Sequence, residues 1–282
     1  MLIATVKGSL KRERRGTDLV AVGDRVWVTD VGAGEGQIEA IEPRTRVLAR
    51  LARRTEDVEQ VILANADQAL FVFAVREPEP HLRMLDRFLV LAESRDLPAM
   101  IGVNKMDLDV PVDGERLAEQ LFGDYVPIYP VLYLSARTGQ GIDDLRTRLQ
   151  GKVTAIAGPS GVGKSSLLND LHPEIEREVG ELSAATGKGR HTTTATRLYR
   201  IDQETYVADT PGIRALALQG ISPETLDNCF PEFRPFLGRC FYPDCTHLHE
   251  PGCAVREAVD EGAISTERYE SYASLRRGDQ PD

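Results

Sequence analysis

Apolar and polar positions change their rhythm twice along this chain. Through residue 62 they alternate in short runs punctuated by glycine, as in LIATVKG, AVGDRVWVTD, GQIEAIEPR and RVLARLA. A period of two over a few residues marks half-buried strands, so residues 1–62 are expected to form a small antiparallel β-barrel. From about Val61 the texture becomes apolar runs (QALFVFAV, PAMIGVNK, IYPVLYLSA, KVTAIAG) separated by amphipathic stretches at His81–Ser94, Gly114–Phe122, Ile142–Gln150 and Lys164–Leu171. That alternation predicts a parallel sheet covered by helices on both faces, an α/β domain over residues 63–220. After Ala217 the strand-like runs stop, and residues 221–282 read as helices, one across TLDNCFPEF, around a group of cysteines. The expected architecture is multidomain.

Composition narrows the class without changing this outline. The 282 residues are about two domains' worth, and no apolar run approaches the roughly 20 residues of a membrane span. The opening MLIATVKGSLKRERR places its short apolar stretch before its charges, which is not a secretory signal, so a cytoplasmic location without membrane contact is expected. A net charge of -10 argues against a general nucleic-acid coat, but cations gather locally. Lys7, Lys11, Arg12, Arg14 and Arg15 face Glu13 alone, and Arg44, Arg46, Arg50, Arg53 and Arg54 face no acid. Each cluster reads equally as a solvated face or as a phosphate-contacting surface. Trp27, the lone aromatic of the first 60 residues, is assigned to core packing, which leaves phosphate contact rather than base stacking as the expected mode.

Four cysteines, at 229, 240, 245 and 253, crowd into the last quarter of the chain. In a cytoplasmic protein such spacing favours a metal over disulfides. Within CFYPDCTHLHEPGC, Cys240, Cys245, His247 and Cys253 can close around one tetrahedral Zn²⁺, with His249 a competing fourth ligand. Cys229 reads as a small buried apolar side chain.

Two further groups of motifs carry chemistry. VTAIAGPSGVGKSSLLNDL places Gly158, Pro159, Ser160, Gly161, Val162, Gly163, Lys164, Ser165 and Ser166 between a strand and a helix, the setting a phosphate loop requires. Backbone N–H groups there would wrap the phosphates, Lys164 would reach the β and γ oxygens, and Ser165 would take a Mg²⁺ position. Downstream, TYVADTPGIRAL ends a strand at Asp209, which can hold Mg²⁺ through water, while the Gly212 N–H can sense the γ-phosphate. Between them GKGRHTTTATR offers Thr192, Thr193 or Thr194 as a Mg²⁺ and γ-phosphate ligand, with Thr193 preferred. Ile213 stands where a GTPase usually carries a water-positioning glutamine, so His191 is the candidate to position the attacking water.

The base is read upstream. VNKMDL places Asn104, Lys105 and Asp107 at a strand end, where the Asp107 carboxylate can accept the two N–H donors of guanine that adenine lacks. One strand later LYLSARTG offers Ser135 and Ala136 to support the loop that meets guanine O6. The nucleotide is therefore GTP. These elements are complete but rotated, base reader before phosphate loop, and Gln150-Gly151-Lys152 would join the old termini in a tight turn.

With these residues the chain resembles the RsgA/YjeQ/YloQ family of ribosome small-subunit-dependent, circularly permuted bacterial GTPases. The motifs NKMD, LSA, GPSGVGKSSLLN, GRHTTT, DTPG, FPEF and CTHLHEPGCAV carry the resemblance over nearly the whole length. It implies an N-terminal OB-fold, a central GTPase domain and a C-terminal zinc domain. It also implies that the protein, expected as a monomer, binds rRNA and proteins of the small ribosomal subunit during late maturation and hydrolyses GTP to GDP when the subunit stimulates it. The N-terminal block departs from the family in beginning almost at its first strand. Competing readings are a GTP-dependent binding module with little hydrolysis, suggested by Ile213, and a GTPase acting on another RNA or on metabolism.

Overall fold

The computed structural model describes residues 2–8, 10, 19–52, 55–111, 114, 116–172, 196–210 and 221–279. Its strands are β1 (Ile3–Val6), β2 (Val26–Gly32), β3 (Glu35–Ile41), β4 (Val47–Ala52), β5 (Thr55–Ala64), β6 (Gln68–Ala74), β7 (Ala99–Asn104), β8 (Val131–Tyr133), β9 (Val153–Ala157), β10 (Arg197–Arg200) and β11 (Tyr206–Asp209). Its helices are α1 (Leu82–Glu93), α2 (Leu117–Phe122), α3 (Ile142–Leu149), α4 (Lys164–Leu171), α5 (Ala254–Asp260) and α6 (Thr266–Arg277). The residues form two compact units, one of Met1–Ala69, Leu149–Ala157 and Glu174–Gln219, the other of Leu70–Arg148, Gly158–Pro173 and Gly220–Asp282.

In the first unit the N-terminal strands form a three-stranded sheet ordered β1-β3-β2 and a separate β4-β5 ladder. β2 and β5 pair antiparallel with their neighbours, whereas β1 runs parallel to β3. The alternation predicted only antiparallel neighbours, but a period of two reports faces, not strand direction.

Two expectations about side chains change. Trp27, assigned to the core, is 66% exposed; it lies on β2, an edge strand, opposite Ala40, beside a bulge between Trp27 and Val28. Arg44, counted among phosphate-facing cations, is instead taken by Asp24, with Nε to Oδ1 at 2.7 Å and Nη2 to Oδ2 at 2.8 Å. Both side chains are nearly out of solvent, at 8% and 1%, so this bidentate pair belongs to the interior of the N-terminal block. Lys7 is bonded to Glu39. Lys11, Arg12, Arg14, Arg15, Arg53 and Arg54 lie outside the described residues.

The same unit holds β9, parallel to β11, with β10 antiparallel beyond it. The join expected at Gln150-Gly151-Lys152 is a turn: the Lys152 N–H donates to Leu149 O at 3.1 Å and the Gly151 N–H to Thr205 Oγ1 at 2.9 Å.

In the second unit β6, β7 and β8 are neighbours in that order, with β7 and β8 parallel. Every residue of β6 is buried, the pattern of a strand covered on both faces. Helix α1 buries Leu85, Phe88, Leu89 and Ala92 at spacings of one to four, and Phe88 stacks on Phe71 at 5.3 Å. Helix α2 begins at Leu117, not at Gly114, whose φ of +86° suits a turn rather than a helix.

The helix expected across TLDNCFPEF is replaced by three single 3-10 turns, Pro223–Thr225, Asp227–Cys229 and Pro231–Phe233. Proline supplies no N–H and clashes with the preceding turn, so two prolines eight residues apart break the segment into pieces. Phe230, Phe233 and Tyr272 of α6 pack with ring centroids 4.9–5.4 Å apart. Beside them Arg268 of α6, 1% exposed, donates to Asp86 Oδ1 of α1 at 2.5 Å and to Glu232 Oε1 at 2.7 Å. Tyr125 donates to the same Asp86 oxygen at 2.8 Å. The C-terminal segment and α1 are thus joined through one buried charged network.

Candidate nucleotide site and metal centre

The base-reading and phosphate-binding candidates converge in the second unit. β7 and β8 are paired from Ile101–Val131 to Val103–Tyr133, so the residues beyond their ends emerge at the same sheet edge. Ligand loops gather at such carboxyl ends of parallel strands. β7 ends at Asn104, followed by Lys105 in the left-handed region at φ +63° and the 3-10 turn Met106–Leu108 carrying Asp107. After β8 come Ser135 and Ala136.

Asn104, 1% exposed, ties these loops together. Its Nδ2 donates to Val162 O of the phosphate loop at 2.8 Å, and its Oδ1 accepts from the Ala136 N–H at 3.3 Å. One buried amide side chain therefore spans both base loops and the phosphate loop, using a donor on one side and an acceptor on the other. Ser135 Oγ donates to Asp107 Oδ1 at 2.6 Å, and Arg137 stands 3.6 Å from Oδ2. The serine bond, with a smaller contribution from Arg137, outweighs the penalty of partial burial and holds the Asp107 carboxyl below the usual carboxylate range. An ionised carboxylate is the form that accepts two N–H donors. Lys105 Nζ donates to Glu77 O.

The phosphate loop is shaped by two glycines for which no other residue would do. A Cβ at Gly158 would lie 2.0 Å from Val72 O, and one at Gly163 would lie 2.4 Å from Asn104 Nδ2, with Gly163 also at φ +93°. Gly163 caps α4, so Lys164 and Ser165 open that helix, where the helix dipole favours an anion. Lys164 Nζ donates to Gly158 O at 3.0 Å and Pro159 O at 2.7 Å, curling over its own loop. Ser160, Gly161, Ser165 and Ser166 are exposed or half-buried while Val162 is buried beneath them. In the first unit Asp209, the last residue of β11, pairs in register with Ile156 of β9, whose chain runs on into the phosphate loop. His191, Thr192, Thr193, Thr194, Gly212 and Ile213 lie outside the described residues.

The second cluster is Cys240, Cys245, His247 and Cys253, whose ligand atoms all lie within 4.8 Å of one another. Cys240 Sγ is 3.9 Å from Cys253 Sγ, and His247 Nδ1 is 3.5 Å from Cys240 Sγ and 3.4 Å from Cys253 Sγ. A tetrahedron with metal–sulfur bonds of about 2.3 Å and metal–nitrogen bonds of about 2.0 Å has edges of roughly 3.8 and 3.5 Å, so these residues fit zinc. Burial, with its neighbouring thiols, pushes the Cys245 thiol up to about 12; a divalent cation would reverse that and take all three as thiolates. His249, the competing ligand, is exposed and outside the cluster. Cys229 is buried, its thiol pushed up to about 11 by burial, and is also outside it.

Residues that the spacing argument passed over hold this loop. Glu250 accepts from the Thr246 N–H and hydroxyl at 2.9 and 2.5 Å and from the Leu248 and His249 N–H groups, both at 3.2 Å. Tyr269 and Tyr272 of α6 donate to the His247 and Thr246 carbonyls, both at 2.8 Å. The Glu-Pro-Gly beyond the ligand histidine was the available signal, since an acid before a Pro-Gly turn can cap the loop's free N–H groups.

Comparison with known proteins agrees with this geometry. The RsgA GTPase family model matches residues 41–219. A relative from Gemmatimonas aurantiaca, named small ribosomal subunit biogenesis GTPase RsgA, is 46% identical over 276 residues, covering 97% of this chain and 89% of the relative. The crystal structure of YjeQ from Thermotoga maritima is similar with a TM-score of 0.79 at 36% identity, covering 98% of this chain and 89% of that one. The structure of YloQ, described as a circularly permuted GTPase, gives a TM-score of 0.75 at 31% identity and covers 99% and 87%. The rotated motif order, the joined loops around Asn104 and these likenesses lead to one assignment: this chain belongs to the RsgA GTPase family and has its circularly permuted GTPase fold.

Proposed function

We propose that this protein is a GTPase of small ribosomal subunit biogenesis that binds the subunit in its GTP form, hydrolyses GTP to GDP and phosphate when the subunit stimulates it, and leaves as the GDP form. The observation that supports the reading is the Asn104 staple, whose amide bonds Val162 O of the phosphate loop and the Ala136 N–H, next to the Ser135 hydroxyl that donates to Asp107. In this reading Asn104, Lys105, Asp107, Ser135 and Ala136 bind the base. Residues Gly158 to Ser166 bind the phosphates, with Lys164 on the β and γ oxygens. Ser165, Thr193 and Asp209 hold Mg²⁺, Gly212 senses the γ-phosphate, and His191 positions the attacking water in place of the glutamine that Ile213 replaces. Zn²⁺ in the Cys240, Cys245, His247 and Cys253 cluster is structural, because protein atoms fill all four positions.

Residues 1–62 act as an OB-fold that meets rRNA phosphates, residues 63–220 as the GTPase and residues 221–282 as the zinc domain, in a cytoplasmic monomer. Among the described residues no helix is long and apolar enough to cross a membrane. Stimulation by the subunit is the physical consequence of an incomplete hydrolytic centre, since a nucleotide site without an in-line glutamine gains most from contacts a partner supplies. The test is co-sedimentation with purified small subunits in a non-hydrolysable GTP analogue and in GDP, together with GTP turnover with and without subunits. Equal sedimentation in both nucleotides would defeat the coupling, and absence from the pellet in both would defeat the ribosomal assignment.

A further inference from the structure

The four metal-ligand candidates leave one ring nitrogen unused. His247 turns Nδ1 toward Cys240 Sγ at 3.5 Å and Cys253 Sγ at 3.4 Å, so its Nε2 points away from the thiols. Asp227 Oδ2 stands 3.5 Å from that Nε2. The other oxygen of Asp227 is engaged, accepting from the Asn228 N–H at 2.8 Å and from Asn228 Nδ2 at 3.1 Å, which turns Oδ2 toward the imidazole. The His247 side chain is 5% exposed, so bulk water cannot replace the carboxylate there. The backbone on either side is pinned as well: His247 has φ +61°, and its carbonyl accepts from Tyr269 OH at 2.8 Å.

We infer that Asp227 is the positioning residue of the metal centre: it accepts the Nε2–H of His247, fixes the tautomer and ring angle that present Nδ1 to zinc, and so sets the affinity of the site. A metal-bound imidazole carries its proton on the other nitrogen, and a carboxylate on that proton both orients the ring and raises its basicity. Asp227 is itself well placed to hold still. It opens the turn Asp227–Cys229, whose Asn228 carbonyl accepts from Arg234 Nε at 3.0 Å, while Arg234 Nη2 donates to Glu93 Oε2 of α1 at 2.5 Å. The metal centre is thereby braced against the GTPase helix through a side chain that touches no metal ligand other than His247. This inference rests on the zinc reading above, and one measurement separates the two: metal content of the unaltered protein.

The experiment is competition for zinc between the full-length protein and a chromophoric chelator, for the parent, Asp227→Ala and Asp227→Asn, with Co²⁺ absorption spectra of each. With one zinc per parent chain, Asp227→Ala is expected to bind about 10- to 100-fold more weakly, as is typical when an outer partner of a ligand histidine is lost. Asp227→Asn, whose amide oxygen still accepts from Nε2–H, should recover most of that loss and the parent Co²⁺ spectrum. A long-range ¹⁵N spectrum of the parent histidine rings should show Nδ1 metal-bound and Nε2 protonated, and it decides the matter even if Asp227→Ala does not fold. Unchanged affinity in Asp227→Ala, equal losses in both variants, or a ring bound through Nε2 would each overturn the inference. A parent chain without zinc would instead overturn the zinc reading.

Discussion

Replacing Arg268 with methionine should be among the most destabilising single changes in the second unit. The guanidinium is 1% exposed, lies 4.7 Å from the Phe230 ring centroid and 5.4 Å from that of Tyr125, and bonds Asp86 at 2.5 Å and Glu232 at 2.7 Å. Burial works against its charge, but the two carboxylates outweigh burial and hold its pKa above the ordinary arginine value. Methionine fills similar volume and keeps the aromatic contacts, so the loss is electrostatic. Breaking a buried pair from one side costs about 3–5 kcal/mol, because the partner is left as an uncompensated charge. Asp86 keeps the Tyr125 hydroxyl as a donor, which places the expected cost near the lower figure, about 3 kcal/mol. In a unit of this size that corresponds to a fall in melting temperature of roughly 6–12 °C. Urea unfolding of Arg268→Met followed by circular dichroism gives the cost. The double change with Asp86→Leu should recover at least half of it, since removing the stranded charge removes most of the penalty. A loss of under ~1 kcal/mol in the single variant, or a double variant no better than the single one, would refute the argument.

Asp107→Asn should weaken GTP binding at least tenfold, since one charge-assisted hydrogen bond is worth about 1.5–3 kcal/mol, and turn preference toward xanthosine triphosphate; a fluorescent-nucleotide titration reads both. The Asp107 pKa is depressed, so its contribution to guanine binding is full above the ordinary carboxylate range and is lost only as pH falls through the depressed value. Ser135→Ala should move that loss to higher pH, which a pH series of the same titration checks. His191→Ala should slow subunit-stimulated turnover about 10²-fold while leaving GTP binding unchanged, and unaltered turnover assigns the water to another group. Subunit binding should fall with salt, each phosphate contact removed lowering the log–log slope by about 0.7 to 0.9. Arg44→Met should leave that slope alone but lower stability, because its partner is Asp24.

The nucleotide motifs are legible because their chemistry is local: a loop that wraps phosphate needs glycines at Gly158 and Gly163 within six residues, and a strand-end Asn-Lys-x-Asp carries its own meaning. The alternation of apolar strands and amphipathic helices also places β6 to β9 and α1 to α4 closely. The features that escape it depend on partners distant in sequence. Trp27 is apolar and in a strand, yet nothing local says that β2 is an edge whose face no other described element covers. Arg44 looks like one cation among five until Asp24, twenty residues away, takes two of its nitrogens. Asp86 sits among the buried leucines of α1, and only the structure shows that Arg268, 182 residues later, accounts for it. The run Pro223 to Phe233 misleads for the opposite reason: Leu226, Phe230 and Phe233 fall at helical spacing, but the two prolines and the weak helix formers Thr225, Asp227, Asn228 and Cys229 between them break it.

Rotating the chain order leaves the Asn104 staple intact, because a bond from Asn104 to Val162 depends on where two strand ends lie and not on which comes first. The rotation does change the destination of the chain once it leaves β11. In this order the chain after β11 proceeds to the segment that carries Glu232, Arg234 and Arg268, and those residues grip Asp86 and Glu93 of α1. Helix α1 in turn is the element immediately before β7, and β7 ends at Asn104. The C-terminal segment therefore holds the helix that leads into the candidate base loop, through the buried Arg268–Asp86–Glu232 network and a more exposed Arg234–Glu93 pair. A buried ion network resists gradual deformation, since displacing one member strands the others without solvent. Any rearrangement of the C-terminal segment must then either carry α1, the helix directly before β7, with it or break the network outright.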